Sequence, residues 1–176
     1  MGLGGGLSLQ IFEVAAKIVL DEFLLEAKIK SVGSLDDNLN NEDYDYVTVT
    51  NGVATPWRQT NPLKPIRYAE AFLKIEDIYL VYPVEPETQI KIKLMPKTER
   101  GIFYIGRFAI QANLSMGAEM RLGGAVDGLT KRFLAITDAS IFPMFPAKHI
   151  ELPRVMSVAL LNRAKISHYH AAETQA

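Results

Sequence analysis

At 176 residues the chain is long enough to bury a core without covalent staples. It has no cysteine, which excludes a disulfide framework, a thiol nucleophile and a zinc–thiolate site. Its formal net charge is −1, yet residues 1–88 hold seven Lys/Arg against fourteen Asp/Glu (−7) and residues 89–176 hold twelve against six (+6), so the two halves carry opposite charge.

Apolar residues make up 48% of the sequence, so either the core is large or a partner covers part of the surface. The densest apolar run, Val155–Leu161, is far too short to span a membrane. Met1–Leu9 is glycine-rich and has no basic residue ahead of its apolar stretch, unlike a secretory signal. Glycine at position 6, where Ser/Thr is needed, breaks the myristoylation pattern. A cytoplasmic protein is expected.

Ile11, Val14, Ala15 and Ile18 recur at helical spacing, which predicts a short N-terminal helix over roughly residues 8–16. From Ile18 the pattern changes. Phe23, Leu25, Ala27 and Ile29 alternate with Leu24, Glu26 and Lys28, mostly apolar-in and polar-out, as in a strand with one buried face. Asp36, Asn38, Asn40 and Glu42 alternate like the opening of a calcium loop. The sixth position is Asn41 rather than glycine and the twelfth is Val47 rather than glutamate, so a solvated hairpin loop is expected instead. Tyr46–Thr50 has the β-branched and aromatic content of a strand, and Asn51 is a turn former. Phe72-Leu73, the polar break Glu76-Asp77 and Ile78 read as a strand, a short interruption and a second strand. Residues 83–101 read as a linker that also forms an edge strand: Pro83, Pro86 and Pro96 punctuate it, and Ile90, Ile92 and Leu94 alternate with Lys91 and Lys93.

The same order then recurs. Phe23, Leu25, Ala27 and Ile29 match Phe108, Ile110, Ala112 and Leu114. Tyr46-Val47-Thr48-Val49-Thr50-Asn51 matches Phe133-Leu134-Ala135-Ile136-Thr137-Asp138, and Phe72-Leu73 with Ile78 matches Leu160-Leu161 with Ile166. Pro56 and Pro65 have counterparts in Pro143 and Pro153. Residues 18–82 and 102–169 therefore read as two copies of one unit. The expected fold is mainly β, with two pseudo-symmetric small β-barrel or half-barrel units, residues 1–88 and 89–176. Phe23, Leu25, Ile29, Val47, Val49 and Phe72, and Phe108, Ile110, Leu114, Leu134, Ile136 and Leu160, are the expected core.

The second copy carries a family likeness. Ile105-Gly106-Arg107-Phe108-Ala109-Ile110, then Arg132-Phe133-Leu134-Ala135-Ile136-Thr137-Asp138-Ala139, then Leu160-Leu161-Asn162-Arg163-Ala164-Lys165-Ile166 resembles an uncharacterised bacterial β-domain family. The closing segment weakly resembles the last motif of Sm-like small barrels. The resemblance implies a strongly bent small β-barrel and no catalytic residues. Asn162-Arg163-Ala164 lacks the glycine of the Sm closing motif, so RNA binding is not carried over.

Candidate chemistry is sparse. His168 and His170 share one face of a predicted strand, but no carboxylate has matching spacing, so they read as a solvated strand end rather than a metal site. Gly4-Gly5-Gly6 is followed by no Lys-Ser/Thr, Gly123-Gly124 reads as a loop pair, and no nucleophile elbow is present. No catalytic residue, metal or cofactor is expected. Two loops instead place large apolar groups between prolines: Trp57, Arg58 and Leu63 in one, Phe142, Met144 and Phe145 in the other. These side chains are candidates for partner binding, and the alternative is that Trp57 and Phe145 fold back to plug the barrel ends. The expected function is a non-catalytic assembly or protein-binding module that forms a head-to-tail homo-oligomer through its opposite charges. The alternatives are a small-ligand β-barrel, and nucleic-acid binding by Arg100, Arg107, Arg121, Lys131, Arg132, Arg154, Arg163 and Lys165.

Overall fold

Alternation in steps of two governs the N-terminal segment. Val14, Ala16 and Ile18 are buried while Ala15 and Lys17 are only half-buried, so the segment is strand β1 (Ile11–Val19) and not the expected helix. The helical reading arose because Val14 and Ile18 fit both periods. Tertiary pairing decides between them: β1 lies antiparallel to β2 (Phe23–Val32) along its whole length, from Ile11 opposite Val32 to Val19 opposite Leu24.

The computed structural model describes residues 10–58, 60 and 64–172. After β2 come α1 (Leu35–Leu39), β3 (Tyr46–Pro56), β4 (Ile66–Lys74), a 3-10 turn at Ile75–Asp77, and β5 (Leu80–Pro83). Helix α2 (Pro86–Ile90) occupies the expected linker strand. Pro86 sits at the start of the helix, where its missing N–H costs nothing. Then β6 (Lys97–Ile105), β7 (Phe108–Met116), α3 (Leu122–Gly128), β8 (Phe133–Pro143), β9 (Met156–Asn162), a 3-10 turn at Arg163–Lys165 and β10 (Ile166–Ala171) repeat the element order of the first half. Gly123-Gly124, expected in a loop, lies in α3. No described helix is long and apolar enough to cross a membrane.

The ten strands of the described residues form one sheet in the order β10-β6-β7-β8-β9-β5-β1-β2-β3-β4, with antiparallel neighbours throughout. In each half the last strand pairs with the first, β5 with β1 and β10 with β6. Separate closed barrels are not what forms. The sheet stays open, because β9 reaches across to β5 and joins the halves edge to edge. Asn51 and Asp138, expected in turns, sit inside β3 and β8 at φ of 51° and 49°. Each marks a bulge against the neighbouring strand, between Glu26 and Lys28 on β2 and between Gln111 and Asn113 on β7. The same tolerance of left-handed backbone that favours Asn and Asp in turns serves a bulge and bends the strand.

Two apolar clusters form the core, and neither belongs to one half alone. The cluster built on β6–β9 takes in Val19, Leu24, Trp57 and Leu80 from the first half. The cluster built on β1–β3 takes in Phe133 and Leu160 from the second. Ten of the twelve expected core residues are buried, and Phe23 is half-buried. Phe72 is the exception, 67% exposed, because β4 is an outer strand with no neighbour beyond it among the described residues.

Candidate assembly interface

The joint between the halves is short in backbone pairing and dense in side-chain bonds. Leu80 lies opposite Leu161 and Val81 opposite Leu160, and all four are buried. The Asn162 backbone N–H donates to the Tyr79 carbonyl at 3.0 Å and extends the ladder by one bond. The fully buried Asn162 side chain donates to the Ile78 carbonyl at 2.7 Å and accepts from the Ala164 N–H at 3.0 Å. Asn162→Ala leaves both backbone groups without these partners. It is expected to cost about 2–4 kcal/mol, read as a lower urea midpoint at unchanged slope.

Helix α1 supplies the second part of the joint. The Ser34 side chain accepts from the Asp37 N–H at 3.1 Å and donates to its carboxylate at 2.7 Å, which starts the helix. This fold-back carries Asp36 and Asn40 onto the second half. The Asn40 amide oxygen accepts from the Phe133 N–H at 2.7 Å, and its NH2 reaches the Phe133 carbonyl at 3.3 Å. Asp36, with 1% of its side chain exposed, accepts from Lys131 at 2.9 Å and from Asn40 at 2.7 Å. The segment expected to be a solvated loop is therefore a buried polar clamp. A full set of partners offsets the desolvation of its carboxylate.

Charge complementarity completes the joint. The Arg107 guanidinium donates to the Asp21 carbonyl at 2.8 Å, lies 3.3 Å from the Glu22 carboxylate and covers the Phe145 ring at 5.0 Å. Lys165 is 4.0 Å from Asp77 and sits over the Tyr79 ring. Arg132 donates to the Tyr44 carbonyl at 3.0 Å. Burial first, and the Asp21 carboxylate second, push the Tyr79 phenol above its ordinary value, so it stays neutral at physiological pH.

Of the eight basic residues proposed for nucleic acid, Arg107, Lys131, Arg132 and Lys165 are thus engaged with the first half, Arg163 lies in the 3-10 turn that follows β9, and Arg100 donates to the Asn113 amide oxygen at 3.4 Å within its own half. Arg121 and Arg154 are exposed and stand apart from these four. The expected partner-binding residues divide. Trp57 is fully buried: its indole N–H donates to the Leu20 carbonyl at 2.9 Å and its ring packs on Phe108 and Phe145. It is a core plug, drawn inward because its loop folds over the β6–β9 cluster. Phe145 is half-buried beside it, whereas Arg58, Phe142 and Met144 are exposed. Leu63 lies outside the described residues. His168 and His170 are exposed on β10, where His168 stacks on Tyr104 at 4.1 Å. Among the described residues no group of three or more His, Cys, Asp or Glu is placed to hold a metal.

What sequence reasoning missed is the pair of outer edges. On β4, Phe72 lies opposite Thr48, as Leu160 lies opposite Ala135 on β9. On β3, Tyr46 lies opposite Lys74, as Phe133 lies opposite Asn162. Leu160 and Phe133 are fully buried in the joint, while Phe72 and Tyr46 are 67% and 56% exposed. The far edge, β10, likewise has no neighbour beyond it among the described residues. An unprotected strand edge with exposed aromatics is a template for pairing. Phe72 on a short strand was visible in the sequence, but nothing local distinguishes an outer strand from an inner one. No protein-family model, curated protein or solved structure matches this chain.

Proposed function

We propose that the protein is a non-catalytic assembly module that self-associates head-to-tail, the second half of one copy against the first half of the next, and that its halves are tandem copies of one structural unit, residues 1–88 and 89–176. The observation that carries this reading is the joint inside the chain. β5 and β9 meet there, and the edges left open at the two ends of the sheet, β10 and β4, hold the corresponding places in the other halves. Each copy therefore offers one edge of each kind, which is the requirement for a heterologous, repeating contact. The opposite net charges of the halves, −7 and +6, favour the same pairing. The nucleic-acid alternative loses ground because four of its eight basic residues already face acidic or carbonyl groups of the first half. A cytoplasmic setting accords with a cysteine-free chain.

Sedimentation velocity and native mass spectrometry over a range of concentrations test the reading. The expected result is a mass of several chains without nucleic acid, with the association weakening as salt rises toward 1 M, where the screening length falls to about 3 Å. A single-chain mass at every concentration and salt level would exclude it.

A further inference from the structure

Resting on that self-association reading, we infer that the joint between chains repeats the register of the joint within the chain. β10 of one copy pairs antiparallel with β4 of the next, with His168 opposite Leu73 and Tyr169 opposite Phe72, and Phe72 and Tyr46 are the side chains buried there.

The register follows from two observed facts. Inside the chain Leu80 lies opposite Leu161 and Val81 opposite Leu160. The strand–turn–strand segments 72–81 and 160–169 carry the same elements at the same spacing: β4, the turn at Ile75–Asp77 and the start of β5, then β9, the turn at Arg163–Lys165 and the start of β10. Moving each partner to its counterpart puts Leu73 against His168 and Phe72 against Tyr169. The Ser167 carbonyl and the Lys74 N–H then take the roles of the Tyr79 carbonyl and the Asn162 N–H.

The faces agree. Leu161 belongs to the cluster of its own half, while its neighbour Leu160 belongs to the cluster of the other half. On β4, Ala71 and Leu73 pack against the cluster of their own half, and Phe72 is turned the other way and exposed. Phe72 is therefore aimed where Leu160 is aimed, at the core of a second-half unit. Leu35 and Leu39 of α1 share a cluster with Phe133 and Leu160. The corresponding positions of α3 are Leu122 and Val126, next to Tyr169, whose ring stacks on Phe103 at 6.3 Å and whose hydroxyl donates to the Gly123 carbonyl at 2.9 Å.

The second joint also differs from the first in ways that bear on its strength. β5 ends at Pro83, which stops the ladder, whereas β10 runs to Ala171 with no proline, so pairing extends to Ala171 opposite Glu70. In place of the Asn40 amide that grips both Phe133 backbone groups stands Asp127, a carboxylate that serves only the donor. The joint between chains thus gains backbone pairs and loses part of the polar clamp, as suits a contact that forms and separates.

The cysteine-free chain makes the register measurable. Residues directly opposite each other on antiparallel strands lie about 4.5–5.5 Å apart, within disulfide reach, while positions two residues off lie about 7–8 Å apart and outside it. Leu73→Cys with His168→Cys, and the fully surface pair Glu70→Cys with Ala171→Cys, are expected to give ladders of disulfide-linked chains on oxidation. Ala71→Cys with His168→Cys is expected to link at least tenfold more slowly. Equal rates for the in-register and shifted pairs, or a disulfide closed within one chain, overturn the register even if the parent chain sediments as a multimer. A parent chain that remains a monomer overturns the self-association reading itself.

Discussion

Trp57→Ala is expected to lower the free energy of unfolding by about 3–5 kcal/mol, a loss typical of deleting a large buried aromatic. The indole is fully buried, lies 4.9 Å from Phe108 in an edge-to-face contact and 6.2 Å from Phe145, and donates to the Leu20 carbonyl at 2.9 Å. Its own backbone N–H donates to the Glu22 carbonyl at 3.0 Å, so the loop is tied to the turn between β1 and β2. Truncation leaves a cavity and an orphaned carbonyl together. Trp57 comes from the first half and fills the cluster of the second, so both halves should lose stability in one transition. Trp57→Phe keeps part of the packing and loses the hydrogen bond, and should fall between wild type and Trp57→Ala. Urea unfolding followed by far-UV circular dichroism gives the comparison. A change of less than about 1 kcal/mol for Trp57→Ala, below the usual range for a buried site, would mean that the ring is not packed as described.

Phe72→Lys is expected to act on assembly alone. With 67% of its surface already exposed, the side chain contributes little to the isolated chain, and the unfolding free energy should change by no more than about 0.5 kcal/mol. At a joint between copies it becomes a central aromatic anchor, and replacing it with a charge should weaken association by at least about 30-fold, the equivalent of roughly 2 kcal/mol. Phe142→Lys is the matching control: Phe142 is 51% exposed but lies on β8, an inner strand. Sedimentation equilibrium of both variants separates two surfaces. Loss of assembly in Phe72→Lys with Phe142→Lys unaffected supports the strand edges. The reverse result would return the interface to the proline-bracketed loop of Phe142 and Met144.

The elements that were legible share one property: their pattern is decided within about ten residues. Phe108, Ile110 and Leu114 alternate and are buried; Val47 and Val49 do the same. Asn51 and Asp138 announced a special backbone, and both have positive φ, but whether that backbone closes a turn or bulges a strand depends on the partner strand. The acidic stretch at Asp36–Asn40 was misread because burial of a carboxylate makes sense only once Lys131 is seen 2.9 Å away, 95 residues on. Trp57 posed the same problem. An aromatic between prolines fits a surface anchor and a core plug equally well until the surface beneath it is known.

By itself the sequence determined the mainly β class, the buried face of strands such as β7 and β8, and the separation of charge. These are properties of local periodicity and composition, and they persist in any arrangement of the halves. The tertiary structure alone decided that the sheet stays open, that each half lends residues to the other's core, and that Leu160 is buried while Phe72, in the same position on the other half, is left on the surface. The reason is that side-chain alternation specifies which face of a strand is apolar but carries no information about what lies beside its edge. A backbone edge has the same N–H and C=O groups whatever its sequence. Only the packing of the two halves determines which edges are covered and which remain free.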